Sequence, residues 1–86
     1  MTIYHSSLFE RHFKKLSPPI QRKAAPRDRL FRLNPFDSRL ETHKLHGDKR
    51  EEWAYSVDYS YRISFVFLKG GSVLYTDIGT HDELYR

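Results

Sequence analysis

The chain has 86 residues, a formal net charge of +4 and no cysteine. This length predicts one domain, residues 1–86, with a modest core, and the lack of cysteine excludes a disulfide framework and a thiolate metal site. The chain does not open with a signal-peptide pattern, and its longest apolar-rich run, residues 63–68, is too short to span a bilayer. We therefore expect a soluble, cytoplasmic protein without a membrane partner.

The charge is unevenly distributed along the chain. Residues 1–50 contain 12 Lys and Arg against 5 Asp and Glu, a net of +7, whereas residues 51–86 contain 3 against 6, a net of −3. A basic half of this kind favours a polyanion or an acidic protein as partner. The alternative is that lysine and arginine simply coat two amphipathic helices.

The first helix is predicted to follow a short edge strand at residues 2–5. Ser7 and Glu10 have the spacing of a capping box, which satisfies free backbone N–H groups at a helix start. An apolar stripe continues at helical spacing through Phe9, Phe13 and Leu16. His5 and His12 fall beside this stripe, and we interpret both as surface residues.

The second helix is predicted to begin at the Ser-Pro-Pro sequence of residues 17–19 and to end at the turn of residues 34–37. Pro26 lies inside it, where a proline removes one backbone hydrogen bond and clashes with the preceding turn. We therefore expect a kink at Pro26 or two separate helices. This is the most basic element of the chain, with Arg22, Lys23, Arg27, Arg29 and Arg32.

The second half of the chain predicts an antiparallel sheet. Alternating side chains indicate strands at residues 52–57, 61–68 and 72–78. Residues 58–60 suit a short hairpin turn, and Gly70 with Gly71 suits a two-residue turn that needs positive φ. An irregular connection with a short strand is predicted before this sheet, and one helical turn after it. The fold class is α+β, with two N-terminal helices packed on a small antiparallel sheet.

Three polar residues of this half are candidates for chemistry. Arg62 is predicted on the face away from the helices, where it is suited to hold a phosphate or to pair with Asp58 or Asp77. His81 follows the last strand and is suited to proton transfer, with a helix N-cap or a plain surface residue as the alternative. Tyr85 is suited to stack on an RNA base or to pack against the sheet.

No cofactor or metal is predicted. His43 and His46 are a weak metal signal, because neither cysteine nor a carboxylate pair accompanies them. The sequence also contains no glycine-rich phosphate loop and no nucleophile elbow. A nuclease built on these residues would supply its own base, cation and acid.

Several of these segments resemble the RelE/ParE superfamily of bacterial toxins. They are Tyr-Arg-Ile-Ser-Phe at 61–65, the glycine pair at 70–71, Asp-Ile-Gly-Thr-His-Asp-Glu-Leu-Tyr at 77–85, and Thr-His-Lys-Leu-His-Gly at 42–47. The tail sequence is most similar to the YafQ-like branch. The resemblance covers residues 6–86.

The resemblance implies a toxin that cleaves mRNA without a metal on the ribosome and is neutralised by a cognate antitoxin. It further implies that operator DNA is bound only through the antitoxin complex. Arg62 then binds the phosphate, His43 or Asp58 is the base, His81 is the acid, and Tyr85 orients an RNA base. The RNA-binding candidates are Lys44, His46, Lys49 and Arg50.

The chain also departs from the pattern that it resembles. Asp77 stands where the YafQ-like branch has an arginine, and Tyr55 or Ser56 where that branch has a further histidine. Lys49 and Arg50 are the nearest substitutes for a lysine pair of RelE. A carboxylate beside a phosphate site should repel RNA. Two alternatives therefore stay open: a non-catalytic protein of this fold, such as a ParE-like gyrase inhibitor or a toxin that binds only its antitoxin, and a plain nucleic-acid-binding module.

Overall fold

The computed structural model describes residues 1–47 and 51–85. Within these residues, three helices and five strands follow one another. In order they are β1 (Ile3–His5), α1 (Ser7–Lys15), α2 (Pro18–Leu33), β2 (His43–Lys44), β3 (Trp53–Ser56), β4 (Tyr61–Phe67), β5 (Val73–Thr80) and α3 (His81–Leu84). Short 3₁₀ turns at Ser38–Leu40 and Lys69–Gly71 complete the path. The predicted α+β class, short edge strand and final helical turn are confirmed.

The five strands form one sheet in the order β1-β5-β4-β3-β2. Strands β2 to β5 pair antiparallel, as predicted. Strand β1 runs parallel to β5, with Ile3 opposite Val73. The sheet is therefore mixed. Helices α1 and α2 connect β1 at one edge of the sheet to β2 at the other edge, so β1 lies beside the last strand of the chain.

Helix α1 begins one residue earlier than the sequence predicted. Ser6, not Ser7, is the N-cap, and its hydroxyl accepts the backbone N–H of Phe9. The Ser6 hydroxyl also donates to the carbonyl of Thr76 at 2.8 Å. This second bond selects Ser6, because one side chain then caps the helix and ties it to strand β5.

Helix α2 is continuous through Pro26, so the expected division into two helices is wrong. Pro26 itself is exposed, while Ala24 and Phe31 on either side of it are buried. The proline removes a single backbone bond. Packing of both halves of the helix on the sheet outweighs that loss.

The core lies between α2 and the sheet and is built from aromatic rings. Phe31 is fully buried, with its ring centroid 4.8 Å from those of Tyr55 and Phe65. The hydroxyl of Tyr55 donates to that of Tyr75, which donates to Asp28 at 2.6 Å. Burial raises the pKa of both phenols well above the usual range of tyrosine. These polar groups are thus satisfied inside the core as neutral donors.

Strand β5 contains a β-bulge. Ser64 lies opposite Asp77 and Phe65 opposite Tyr75, which leaves Thr76 without a partner across the ladder. The hydroxyls of Ser64 and Thr76 are 2.8 Å apart and support the irregular backbone. A bulge redirects the side chains next to it. Period-two alternation is interrupted at this point, so Asp77, opposite Ser64, shares the face of Ser64 and not that of Tyr75 two residues earlier.

Asp77 contacts helix α1 and not the arginine. Its Oδ1 lies 2.6 Å from His12 Nδ1 and also accepts the backbone N–H of Ile78. Among the residues that the structure describes, it forms no ion pair with Arg62. The predicted alternative of an Arg62–Asp77 pair is wrong, because the bulge directs the carboxylate to His12.

Both hairpin loops contain three residues. Val57 N–H donates to the carbonyl of Tyr61 across residues 58–60, as predicted. Leu68 N–H donates to the carbonyl of Ser72, so Lys69 joins the glycines in the second loop and the predicted two-residue turn is wrong. Gly70 and Gly71 have φ of 76° and 79°, a backbone conformation that other residues adopt at a cost.

The first loop depends on the carboxylate of Asp58. This group accepts the backbone N–H groups of Ser60 and Tyr61 and lies 3.2 Å from Lys23 Nζ. Burial acts to raise the pKa of Asp58, but these bonds outweigh it and hold the pKa below its usual value. A lowered folded-state pKa means that the carboxylate stabilises the fold above its unfolded pKa and ceases to do so as pH falls through the folded one.

We expect Asp58→Asn to lower the free energy of unfolding by about 1–3 kcal/mol at pH 7, the range for hydrogen bonds to a charged group. The deficit should shrink below about pH 4, where the unfolded carboxyl is protonated. Urea denaturation at pH 7 and pH 3 measures both values. A deficit that is equal at the two pH values would contradict the role of the charge.

Candidate active site

Three aromatic side chains from distant parts of the chain form a row. The ring of Tyr85 lies between those of His43 and His81, with centroid distances of 5.9 and 4.1 Å. The planes are inclined by 8° to His43 and by 20° to His81, and the His81 ring stacks on that of Tyr85. The phenol oxygen of Tyr85 contacts Nε2 of His43. Three residues that the sequence singled out separately are thus brought together.

Strand β2 and the residue before it hold His43 in place. His43 pairs with Ala54, and its Nδ1 lies 2.9 Å from the carbonyl of Glu41. A carbonyl only accepts hydrogen bonds, so we assign the imidazole proton to Nδ1. Nε2 then carries the free lone pair and accepts from Tyr85. The geometry therefore presents His43 as a base with Nε2 as the reactive atom.

Glu41 was not identified from the sequence. It has φ of 53°, the left-handed conformation that few residues other than glycine adopt. Its carboxylate accepts a hydrogen bond from Ser56 at 3.2 Å, while its carbonyl faces His43. Nothing in the local sequence signals this arrangement, because it depends on the pairing of β2 with β3.

Helix α3 positions His81 and Tyr85. Thr80 and Glu83 form a capping box: the Thr80 hydroxyl accepts the N–H of Glu83, and Glu83 Oε1 accepts the N–H of Thr80. Leu84 is fully buried and anchors the helix against the sheet. A helix of four residues is marginal without such support. The Thr-x-x-Glu spacing of this box is visible in the sequence, and it corrects the alternative of His81 as N-cap.

The close approach of Glu83 also explains Gly79. A β-carbon built on Gly79 would lie 3.0 Å from Glu83 Oε1 and 3.3 Å from its β-carbon. The second contact is tighter than side chains normally accept, and one end of it is fixed by the helix. Glycine here therefore lets α3 fold back closely on strand β5.

Arg62 lies between Tyr61 and Ile63 in strand β4, on the face that points away from the aromatic core. Its Nη1 donates to the carbonyls of Asp58, Tyr59 and Tyr61 at 3.0–3.2 Å. These bonds fix one edge of the guanidinium to the hairpin loop.

The guanidinium of Arg62 also acts on Tyr85. Burial raises the pKa of the Tyr85 phenol, and the positive charge of Arg62 opposes that shift in part. The phenol stays protonated at neutral pH and is a hydrogen-bond donor. The Arg62 charge therefore acts on the phenol of Tyr85, the residue that also contacts His43.

Asp58 contacts Arg62 through its backbone and not through its side chain. Its carbonyl accepts Arg62 Nη1, whereas its carboxylate is held by the loop N–H groups and Lys23. The predicted Arg62–Asp58 ion pair is therefore absent from the part of the chain that the structure describes. A carboxylate with several hydrogen bonds and a lowered pKa is a weak base. His43 is the better candidate of the two.

The RNA-binding candidates are only partly described. Lys44 Nζ lies 5.9 Å from the centre of the Trp53 ring, a cation–π distance, and His46 is exposed. Lys49 and Arg50 lie outside the described residues. Within residues 1–47 and 51–85, no group of three or more His, Cys, Asp or Glu could hold a metal ion. In the same ranges, no helix is long and apolar enough to cross a membrane.

Comparison with known proteins gives matches in structure and none in sequence. No family model matches the chain, and no curated protein sequence matches it significantly. YafQ from E. coli strain BL21(DE3) superposes with a TM-score of 0.80 at 17% identity, covering 98% of this chain and 97% of that one. A YoeB/ParE toxin from Agrobacterium tumefaciens gives 0.78 at 14% identity, covering 94% and 99%.

A third similar structure is the E. coli DinJ–YafQ toxin–antitoxin complex. It gives a TM-score of 0.78 at 17% identity and covers 98% of this chain and 96% of that one. The matches extend over nearly the whole of both chains. The fold implied by the sequence resemblance is confirmed.

Proposed function

We propose that this chain, which has the fold of the YafQ and YoeB/ParE toxins, is the toxin of a type II toxin–antitoxin pair and a metal-independent endoribonuclease that cleaves mRNA, acting on the ribosome in the cytoplasm. The observation that carries the proposal is the row of His43, Tyr85 and His81 beside the guanidinium of Arg62. A base, a donor, a second histidine and a fixed cation are the parts that this reaction needs.

In the proposed reaction, His43 Nε2 removes the proton of a ribose 2′-hydroxyl. The 2′-oxygen then attacks the adjacent phosphorus, and the bond from phosphorus to the 5′-oxygen breaks. Protonated His81 gives its proton to that leaving oxygen. The products are a 2′,3′-cyclic phosphate and a free 5′-hydroxyl, and both histidines end in exchanged protonation states.

Arg62 stabilises the charge that develops on the phosphate. One edge of the guanidinium is hydrogen-bonded to backbone carbonyls at the hairpin. These bonds fix the orientation of the Arg62 side chain before substrate binds. Such preorganised donors reduce the barrier because they need not rearrange during the reaction. Arginine suits this place, since its planar fork matches two phosphate oxygens.

Tyr85 has a double role in this proposal. Its hydroxyl occupies the position at His43 Nε2 that the 2′-hydroxyl would take, so the two must exchange when RNA binds. One face of its ring stacks on His81, and the ring is suited to orient an unpaired base. Lys44, His46, Lys49 and Arg50 are proposed to bind the flanking RNA.

The proposed protein partner is a cognate antitoxin. A DinJ–YafQ complex among the similar structures supports this choice. A groove of about 340 Å³ between α1 and α2 has an apolar floor that includes Phe9, Phe13 and Ala24, with Glu10 and Lys14 at its rim. These features suit an amphipathic segment of the antitoxin. We expect this chain to contact operator DNA only through its complex with the antitoxin.

The second candidate function is a non-catalytic toxin of the same fold. The observation that favours it is Asp77, a carboxylate where the resemblance has a cation, together with the YoeB/ParE toxin among the similar structures. Since Asp77 contacts His12 rather than Arg62, the repulsion expected beside the phosphate is weakened. We therefore rank the nuclease first.

Induced expression of the wild-type chain and of an Arg62→Ala, His81→Ala double variant tests the proposal. We expect the wild type to arrest growth and to produce new mRNA 5′ ends, and the folded double variant to do neither. Transcript ends are mapped before and after induction. Arrest with intact transcripts would instead favour a gyrase inhibitor, and no arrest from a folded wild type would favour a chain that only binds its antitoxin.

A further inference from the structure

A second cleft, separate from the ring row, lies between helix α1 and the end of the sheet. It has a volume of about 310 Å³ and includes Gly79 and Glu83 in its wall. The other lining residues are His12, Lys15, Leu16, Tyr61 and Ile78. The cleft therefore combines an aromatic ring, two aliphatic side chains and several polar groups. Because α3 also carries His81 and Tyr85, the cleft and the proposed active site share that helix.

The bulge in strand β5 fixes the orientation of His12 in this cleft. It brings Asp77 Oδ1 within 2.6 Å of His12 Nδ1. A carboxylate accepts a hydrogen bond, so the Nδ1 position carries a proton. Nε2, on the opposite edge of the ring, is then an acceptor when the imidazole is neutral. A histidine held in one tautomer by a carboxylate is the arrangement by which proteins fix ring polarity.

Lys15 supplies the complementary group. Lys15 follows His12 at the i, i+3 spacing, which puts both on the same side of α1. Its ammonium group donates hydrogen bonds and cannot accept them. The cleft thus offers a donor beside an acceptor, with Tyr61, Leu16 and Ile78 as less polar walls. Unpaired RNA bases are recognised by stacking on aromatic side chains and by hydrogen bonds to their edges.

We propose that this cleft binds one unpaired base of the RNA substrate and prefers a keto base, guanine or uracil. These bases place a carbonyl oxygen next to a ring N–H, which matches the Lys15 donor and the His12 acceptor. Adenine and cytosine place an amino group next to a bare ring nitrogen, so in the orientation of a keto base both bonds would be mismatched, and the proposed preference requires that the RNA strand enter the cleft in one direction. Asp77 is a positioning residue, because it acts through His12. The proposal rests on the proposed function for its RNA ligand.

The test measures binding of fluorescent 2′-O-methyl hexanucleotides, which lack a free 2′-hydroxyl and are not cleaved. Oligo-adenosine is compared with versions that carry one guanine, uracil or cytosine. We expect the guanine and uracil probes to bind about tenfold more tightly than the other two, as for one well-made base contact. Lys15→Ala should remove this preference, and Lys14→Ala, which changes the same charge on α1 but borders the other groove, should keep it.

Asp77→Asn separates positioning from charge. Its amide can donate to His12 Nδ1 and so permit the other tautomer, which makes Nε2 a donor. We expect the folded variant to bind all four probes within about twofold of one another, since neither tautomer is then imposed. Thermal unfolding confirms that each variant is folded, and His12→Gln gives a second route to the same loss.

The outcomes separate this inference from the proposed function. Equal binding of the four probes by the wild type, or a preference that Lys15→Ala leaves unchanged, would overturn the base site while the nuclease proposal stands. A wild type that binds none of the probes would overturn the base site alone, because the proposed cleavage takes place on the ribosome. A keto preference that depends on Lys15 in a chain that cleaves no mRNA would support the base site and overturn the nuclease.

Discussion

Replacing Arg62 by alanine is expected to lower the rate of RNA cleavage by about 10²–10³-fold, the effect of removing one preorganised donor from a developing negative charge. The charge of this side chain acts on the Tyr85 phenol, and its Nη1 is anchored on three backbone carbonyls. Alanine removes both the charge and the anchored fork. Among the described residues, Arg62 is the cation whose charge acts against the raised pKa of the Tyr85 phenol.

Arg62→Lys distinguishes charge from geometry. Lysine retains the positive charge but has no planar fork, and a bidentate phosphate contact is lost. We expect an intermediate rate, about tenfold below the wild type. Lys69→Ala is the matched control, because it removes one positive charge from the exposed loop between β4 and β5. Cleavage of a defined mRNA in a translation extract measures all four proteins.

Loss of Arg62 should also affect stability. Three hydrogen bonds to the hairpin loop disappear, and we expect a loss of about 1–2 kcal/mol in the free energy of unfolding. Rates are therefore compared at a temperature at which thermal unfolding shows every variant to be folded. If folded Arg62→Ala cleaved RNA at the wild-type rate, the phosphate would have to be bound by another residue, and Arg62 would not be part of the active site.

Local patterns predicted the elements, because each is encoded by neighbours in the sequence. Period-two alternation put Arg62 opposite the buried rings, and apolar spacing with proline punctuation gave the two helices. Where these patterns failed, a contact from a distant residue decided the outcome. Ser6 replaced Ser7 as N-cap because its hydroxyl also reaches Thr76, 70 residues away.

The site was harder to predict than the fold for the same reason. His43 and Tyr85 are 42 residues apart, and their contact depends on the edge position of β2 and on the return of α3 over the sheet. The bulge at Thr76 had no sequence signal and reversed the expected surroundings of Asp77. The resemblance supplied the candidate residues, whereas only the folded chain shows which of them are neighbours.

Replacing His43 by alanine is expected to lower cleavage by about 10²–10⁴-fold, the usual contribution of a positioned general base. The variant removes the Nε2 lone pair and leaves Arg62 and His81 in place. Because the imidazole is exposed and forms part of a two-residue edge strand, its loss should change the free energy of unfolding by less than about 1 kcal/mol. A large loss of rate in a stable protein would then be a chemical effect.

Free imidazole offers a direct check on that chemical role. Added to His43→Ala, it can occupy the vacated space beside Tyr85 and accept the 2′-hydroxyl proton, and we expect it to restore part of the rate in proportion to its concentration. His5→Ala is the matched control, since it removes an exposed histidine of strand β1 at the opposite edge of the sheet and should neither lose comparable activity nor respond to imidazole. Tyr85→Phe keeps the ring but removes the hydroxyl that contacts His43 Nε2. We expect a smaller loss of rate, about tenfold, if the phenol only orients the site.

Two results would show that His43 is not the base: cleavage by His43→Ala at the wild-type rate, or a slow His43→Ala variant whose rate imidazole does not raise. Asp58 would then have to be reconsidered as the base, despite its hydrogen bonds in the loop.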